Sequence, residues 1–338
     1  LTGIALSKKM ENLIKGSTKD MNLEETARKI RTMEIRGAGR IARHAAKALY
    51  THSMEGESTD LASYCQRMNE AADLLVSTRP TAVSLPNAIN LVMKPLKYET
   101  DVLSARQNLE ERALAFVKRS EEAVSRIGTI GARHIRDGDV ILTHCNSEAA
   151  LACILKAHKQ GMDIEVYATE VRPRNQGHIT AKTLSDAGVR TNFIVDSAAR
   201  YFMKEVDLCI TGADAITVNG SVINKIGTSQ IALAAHEARV SFLVAAETYK
   251  FAPCTILGER ILIEERSPDE ILSPEMRRTL PNVTVRNPTF DITPADYVDL
   301  IITEAGVYPP EMAYTVIREQ LHWDNEDMIS DLPYCEEE

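Results

Sequence analysis

The stretch "DVILTHCNSEAALACILKA", residues 139–157, decides how the chain is read. Its apolar run VILT is strand-length, and SEAALACILKA reads as a helix starting at Ser147. Ser147 is a good N-cap, a residue whose side-chain oxygen can satisfy an unpaired amide at a helix start. Between strand and helix stand His144, Cys145 and Asn146. A cysteine gains little from packing at such a junction. The dipole of the helix behind it favours negative charge, so the position predicts a lowered pKa and an enriched thiolate. A half-buried structural thiol fits the same position equally well.

Working outward, the pattern downstream of about residue 128 is one of strand-length apolar runs at 164–170, 191–196, 207–214, 240–247 and 259–265. Helical stretches separate most of them, which is the signature of a parallel sheet with helices on both faces. Upstream the pattern is helical. "MNLEETARKIRTMEIRGAGRIARHAAKALYTH" (21–52) carries apolar residues at helical spacing, broken at R-G-A-G (36–39). A second helical stretch ends at Pro80, because proline disfavours helical geometry in the residue before it, and a third runs from about 100 to 127. The expected fold is α/β, with a helical N-terminal domain (1–127) followed by a Rossmann-like parallel-sheet domain (128–338). The closing Cys-Glu-Glu-Glu reads as a solvated tail.

The bulk numbers agree with this. A chain of 338 residues suggests two domains, and 44% hydrophobic with 26% charged residues suits a globular protein with a real core. A net charge of -9 argues against a nucleic-acid partner, which needs a basic field. The six cysteines are scattered without a C-x-x-C pair, and no apolar run reaches membrane length. The expectation is a cytoplasmic protein with no membrane or nucleic-acid partner.

Parallel sheets of this kind bind ligands at the carboxyl ends of their strands, so the residues after each run carry the functional reading. "TEVRPRNQG" (169–177) has the composition of a polar turn. Asp214, in "TGADAI" (211–216), has apolar neighbours that favour a neutral carboxyl, although an aspartate capping the next turn fits as well. "NGSVINKIGTSQIALAAHEA" (219–238) offers Asn224, Lys225 and a helix capped by Thr228 or Ser229, an arrangement that suits a phosphate. Lys250 follows the next run, and R-G-A-G at 36–39 and Arg79 add cations upstream. A thiol, an acid and several cations point to chemistry on a phosphorylated small molecule. No G-x-G-x-x-G follows the first strand, which disfavours a dehydrogenase.

The segments "RGAGRIARHAAKAL" (36–49), "RPTAVSLPNA" (79–88), "THCNSEAA" (143–150), "TEVRPRNQGHITAKTL" (169–184), "VDSAA" (195–199), "TGADAI" (211–216), "NGSVINKIGT" (219–228) and "AAETYKF" (245–251) together resemble the archaeal ribose-1,5-bisphosphate isomerases. The wider superfamily includes methylthioribose-1-phosphate isomerase and regulatory subunits of translation initiation factor two-B. R-G-A-G-R-I-A favours the bisphosphate branch, since the methylthioribose enzyme usually carries R-G-A-P-A-I-G there. The resemblance implies an isomerase making ribulose 1,5-bisphosphate in nucleoside monophosphate degradation, with Cys145 as proton acceptor and Asp214 as proton donor. It implies substrate contacts from Arg36, Gly37, Ala38, Gly39, Arg79, Ser147, Glu148, Ala149, Asn224, Lys225 and Lys250. A lysine is expected where this chain has Glu148. The resemblance further implies no metal or cofactor, activation by AMP, and a homo-oligomer, dimeric or hexameric. The alternatives are the methylthioribose enzyme and a non-catalytic regulatory subunit.

Overall fold

The structure is a computed structural model that describes residues 22–35, 37–56, 60–79, 82–258, 260–323 and the short strand 335–336. The chain divides into two compact units, one of residues 1–80 and 88–118, the other of 81–87 and 119–338. The first unit is helical, with α1 (Leu23–Arg31), α2 (Ala38–Met54) and α3 (Leu61–Val76). Helix α4 (Ser84–Met93) and the long helix α5 (Val102–Gly131) each continue from one unit into the other. The boundary expected at 127 falls within α5, and the units divide at 118 instead. Two of these helices start at a side-chain cap, α1 at Asn22 and α3 at Asp60, which accept from the amides of Glu25 and Ser63, and basic residues close α1.

The second unit is built on a seven-stranded sheet. Strands β1 (Val140–Thr143), β2 (Glu165–Thr169), β3 (Arg190–Ile194) and β4 (Leu208–Gly212) match the sequence expectation. Strands β5 (Ala215–Ile216) and β6 (Val222–Lys225) leave the sheet. They are followed by β7 (Ser241–Ala245), β8 (Arg260–Ile261), β9 (Phe290–Thr293), β10 (Leu300–Thr303), β11 (Gly306–Tyr308) and β12 (Cys335–Glu336). The sheet order is β11-β10-β7-β4-β1-β2-β3, all parallel except β11. From β1 the chain winds outward through β2 and β3, then returns to β4 and winds the other way. The order therefore reverses between β1 and β4, where such sheets form their ligand crevice. The Rossmann-like expectation holds.

Two expectations are corrected. The run 259–265 is not a strand of this sheet: only Arg260–Ile261 is extended, and it pairs antiparallel with Cys335–Glu336. Its place is taken by β10, whose LIIT is a continuous apolar run of the kind a strand buried on both faces needs. The residues read as a solvated tail accordingly include a paired strand at 335–336. A second, three-stranded antiparallel sheet of order β5-β6-β9 was not anticipated.

The core is aliphatic, as one Trp and six Phe require. Ile141, Val166, Ile210, Leu243 and Ile302 of the sheet pack with Ala150, Cys153 and Ile154 of helix α6 (Glu148–Lys159). Each such aliphatic side chain contributes about 1.5–3 kcal/mol on burial. Cys153 and Cys209 behave as small apolar residues, fully buried; Cys254, by contrast, is disulfide-bonded. Among the described residues no helix is long and apolar enough to cross a membrane.

Gly212, the last residue of β4, fixes how closely α6 approaches the sheet. A Cβ there would lie 2.6 Å from the Cβ of Ser147 and closer still to its hydroxyl, so the helix start rests directly on the strand end. Gly212→Ala is expected to cost about 1–3 kcal/mol through overpacking, read as a lower urea midpoint with an unchanged slope. An unchanged midpoint would show that the junction yields without strain.

Candidate active site

The turns at the carboxyl ends of β1 and β4, on either side of the sheet's reversal point, deliver Cys145 and Asp214. Cys145 has φ 70° and Val171, after β2, has φ 64°. Such backbone is unfavourable for non-glycine residues by about 1–3 kcal/mol and persists only when its surroundings over-determine it. They do so here. The Thr180 hydroxyl, on helix α7 (Gly177–Asp186), donates to the Cys145 carbonyl at 2.9 Å. The Asp196 carboxylate accepts from the amides of Val171 and Arg172 at 2.8 and 2.7 Å.

His144 ties these turns together. Its Nε2 lies 2.9 Å from the Ile226 carbonyl oxygen, which can only accept, so Nε2 carries the proton; Nδ1 accepts from the Thr169 hydroxyl at 2.6 Å. Burial pushes its pKa down, which keeps the ring neutral. The ring packs against Gly227, which has φ 103° and where a Cβ would sit 3.1 Å from it. One side chain thus links the ends of β1 and β2 to the start of helix α8 (Thr228–Ala238).

The Cys145 thiol is partly buried and sits 3.8 Å from Gln176 Oε1. Its pKa is pushed up to about 11, by burial first and then by the negative charge of Asp214; Lys225 and the Asn146 amide pull the other way. This corrects the expectation of a lowered pKa. Cys145 lies two residues before the N-cap, and the Ser147 hydroxyl already accepts from the Ala150 amide at 3.2 Å. The helix start acts on the thiol too weakly to offset desolvation and the carboxylate.

Asp214 is partly buried, and its charge reaches both lysines as well as Cys145. Lys225, at the end of β6, is buried; its ammonium donates to the Thr289 carbonyl at 3.1 Å and stands 4.7 Å over the Phe290 ring. Burial lowers its pKa, against the pull of Cys145 and Asp214. Lys250 is buried in an ion pair with Glu247 at 2.8 Å. Burial works to lower its pKa, but Glu247 and Asp214 outweigh that and hold it above the ordinary value. The structure therefore gathers Cys145, Asp214, Lys225 and Lys250 into one charge-coupled group.

The remaining expected residues fare differently. Asn224 is buried and donates to the Thr228 hydroxyl at 3.0 Å. Glu148 is exposed in the first turn of α6, where an acid complements the dipole, and its charge also acts on Lys250. Ala149 is in the core. In the first unit Gly37 is the N-cap of α2 with φ 86°, and Ala38 and Gly39 form its first turn. Arg79 Nη1 lies 2.9 Å from the sulfur of Met33, in the turn leading to Gly37, which brings those two segments together. Arg36 lies outside the described residues.

The expected phosphate cradle at the start of α8 is also corrected. Neither Thr228 nor Ser229 caps that helix; its N-cap is Gly227. The Asp291 carboxylate, brought in by β9 beside β6, accepts from the Gly227 amide at 2.7 Å and the Ser229 hydroxyl at 2.9 Å, with the Ser229 amide at 3.2 Å. A carboxylate of the chain already fills the position proposed for an anion. Sequence reasoning missed Asp291, His144, Gln176, Glu247, Arg174 and Arg266. His144 directly follows β1, Arg174 and Gln176 lie in the loop after β2, and Glu247 lies in the turn after β7, so these four had a local signal.

Because the charge of Asp214 adds to burial in holding the thiol proton, Asp214→Asn should lower the Cys145 pKa and speed its alkylation by iodoacetamide at pH 8 several-fold. Mass spectrometry of the modified site checks this; an unchanged or slower rate would show that the two groups are not coupled.

Against known proteins, the profile of the initiation factor 2 subunit family matches residues 34–310. The ribose 1,5-bisphosphate isomerase of Methanocaldococcus jannaschii is 52% identical over 301 residues, covering 89% of this chain and 96% of the relative. Several archaeal relatives of that name are 43–54% identical over most of the chain. The methylthioribose-1-phosphate isomerase of Acetivibrio thermocellus is 38% identical over 89% of this chain and 93% of its own. Among solved structures, the Pyrococcus horikoshii translation initiation factor eIF-2B superposes with a TM-score of 0.71 at 34% identity, covering 85% of this chain and 97% of the other. The chain belongs to the initiation factor 2 subunit family.

Proposed function

We propose that this chain is an isomerase converting α-D-ribose 1,5-bisphosphate to D-ribulose 1,5-bisphosphate. The observation that carries the reading is the thiol and carboxylate at the ends of two neighbouring strands, coupled through charge to each other and to a buried lysine. A regulatory subunit has no need of such a pair. The choice of substrate rests on the relatives, of which the archaeal bisphosphate isomerases are more similar to this chain than the methylthioribose enzyme.

The substrate's C1 is locked as a phosphorylated hemiacetal, so the ring must open with the phosphate still attached. Asp214, as acid, protonates the ring oxygen as the bond from C1 to that oxygen breaks, leaving a hydroxyl on C4. Cys145, as thiolate, removes the hydrogen of C2, and the electron pair of that C–H bond becomes the C1=C2 bond of an enol phosphate. Return of a proton to C1 and loss of the C2 hydroxyl proton give the 2-ketone. C1 is reduced and C2 oxidised within one molecule, so the electron balance requires neither a redox cofactor nor a metal.

The ligand-free pair starts with its proton on sulfur and its charge on Asp214. Transfer of that single proton from Cys145 to Asp214 produces both reactive forms at once, the acid and the thiolate, while Lys225 stabilises the thiolate. A raised thiol pKa is thus compatible with a base role, since a weakly acidic thiol gives a strong base once deprotonated. On the motif resemblance alone, the reading also takes the protein as a cytoplasmic homo-oligomer activated by AMP.

Cys145→Ser and Asp214→Asn are each expected to lower kcat for ribose 1,5-bisphosphate by ~10²–10⁴-fold, followed by a coupled assay for ribulose 1,5-bisphosphate with AMP present. Near-normal turnover in either variant would exclude the mechanism. Turnover of methylthioribose 1-phosphate alone would move the chain to the other isomerase branch.

A further inference from the structure

The helical unit brings two arginines, Arg67 of α3 and Arg106 of α5, to the same tyrosine ring. Their guanidinium carbons stand 5.5 and 5.8 Å from the ring centroid of Tyr64, which is fully buried. Arg67 Nη1 donates to the carbonyls of His52 and Glu55 at 2.8 and 2.6 Å, and Arg106 Nη2 donates to that of Gly56 at 2.8 Å. Both therefore close the carboxyl end of α2, where the helix dipole favours a cation. That role uses only part of each side chain. Arg67 Nε and Nη2 and Arg106 Nε are shielded from water and have no hydrogen-bond partner. Nε and Nη2 form the edge of a guanidinium that grips a carboxylate or phosphate through two parallel bonds. In Arg67 that whole edge is unpartnered.

Acids close in sequence to these arginines are engaged elsewhere. A Glu55 carboxylate oxygen lies 3.5 Å from His52 Nδ1, and Glu70 accepts from Gln66 at 3.1 Å. Glu110, one helical turn on from Arg106, accepts from the Tyr50 hydroxyl at 3.3 Å. Among the described residues neither arginine forms an ion pair. The tyrosine face attracts a cation but takes up no strong N–H bond. Two like charges thus share one ring and three unpartnered buried donors, an arrangement that repels itself unless an anion compensates it.

Independently of the isomerase reading, we propose that Arg67 and Arg106 form a binding site for a phosphate-type dianion, which joins the end of α2 to α3 and α5 through these two side chains. A tetrahedral dianion suits the pair better than a carboxylate or chloride. It balances both positive charges, and its oxygens can accept two bonds from the Arg67 edge and a third from Arg106 Nε. Both arginines are half-buried, and each is anchored to the helix end by one terminal nitrogen. A rotamer change at the end of each side chain opens the remaining donors to the anion without moving a helix.

The test is hydrogen–deuterium exchange of the full chain in potassium phosphate against potassium chloride at equal ionic strength, read by mass spectrometry over the segments 50–56 and 61–76. Phosphate should slow exchange there several-fold, and the slowing should saturate with concentration, as binding does and general stabilisation by salt does not. Sulfate, of similar shape and charge, should act alike. Arg67→Lys and Arg106→Lys keep the charge and a donor for the helix end but lose the paired edge, so each should lose most of the slowing. No slowing in the wild-type protein, slowing that never saturates, or slowing that persists in both lysine variants overturns the site. Slowing seen only in Glu57→Gln also overturns it, because the chain's own carboxylate, next after Gly56 in sequence, would then be the anion.

Discussion

The interaction on which the active site depends is the repulsion between a negative charge on Asp214 and one on Cys145. Both groups lie at the carboxyl ends of adjacent strands, in partly desolvated surroundings where such a repulsion is strong. Added to desolvation, which is the larger effect, it keeps the proton on the thiol near neutral pH. Lys225 eases both arrangements, because its charge favours negative charge on either partner. An acid and a base are thus produced from a single proton, as in other catalytic pairs whose titrations are coupled.

Much of the second unit serves to keep those groups in place. His144, neutral and bonded on both ring nitrogens, joins the ends of β1 and β2 to the turn before α8. The β5-β6-β9 sheet sets Lys225 beside Phe290 and Asn224 opposite Asp291, so that one ribbon presents the lysine and caps the helix that follows it. Glu247 holds Lys250 in an ion pair shielded from water, which positions its charge towards Asp214 at the cost of part of its attraction for a substrate anion. The strained backbone of Cys145 and Val171 is maintained by hydrogen bonds from Thr180 and to Asp196.

Much of this was legible in the sequence. The apolar runs of β1, β2, β3, β4 and β7 located the sheet, because strands buried on both faces carry their signal in consecutive residues. The rule that ligands sit after such strands then led to Cys145, Asp214 and Lys250 without any coordinates. The run 259–265 misled because its apolar centre is flanked by charges, a pattern suited to an edge pairing and not to a central strand. Asp291 was invisible because it acts 64 positions along the chain from the amide it caps. The thiol pKa was misjudged for a similar reason: the helix start is local to Cys145 in sequence, whereas Asp214 and the desolvating wall come from elsewhere in the fold.

The most direct test is an ultraviolet titration of the thiolate absorbance, taken as the difference between the wild-type protein and Cys145→Ser and repeated with a bound sugar phosphate analogue. The account requires that ligand-free Cys145 remain a thiol until pH approaches about 11 and that thiolate form at lower pH in Asp214→Asn. Thiolate already present at neutral pH in the ligand-free protein, unchanged by Asp214→Asn, would contradict it.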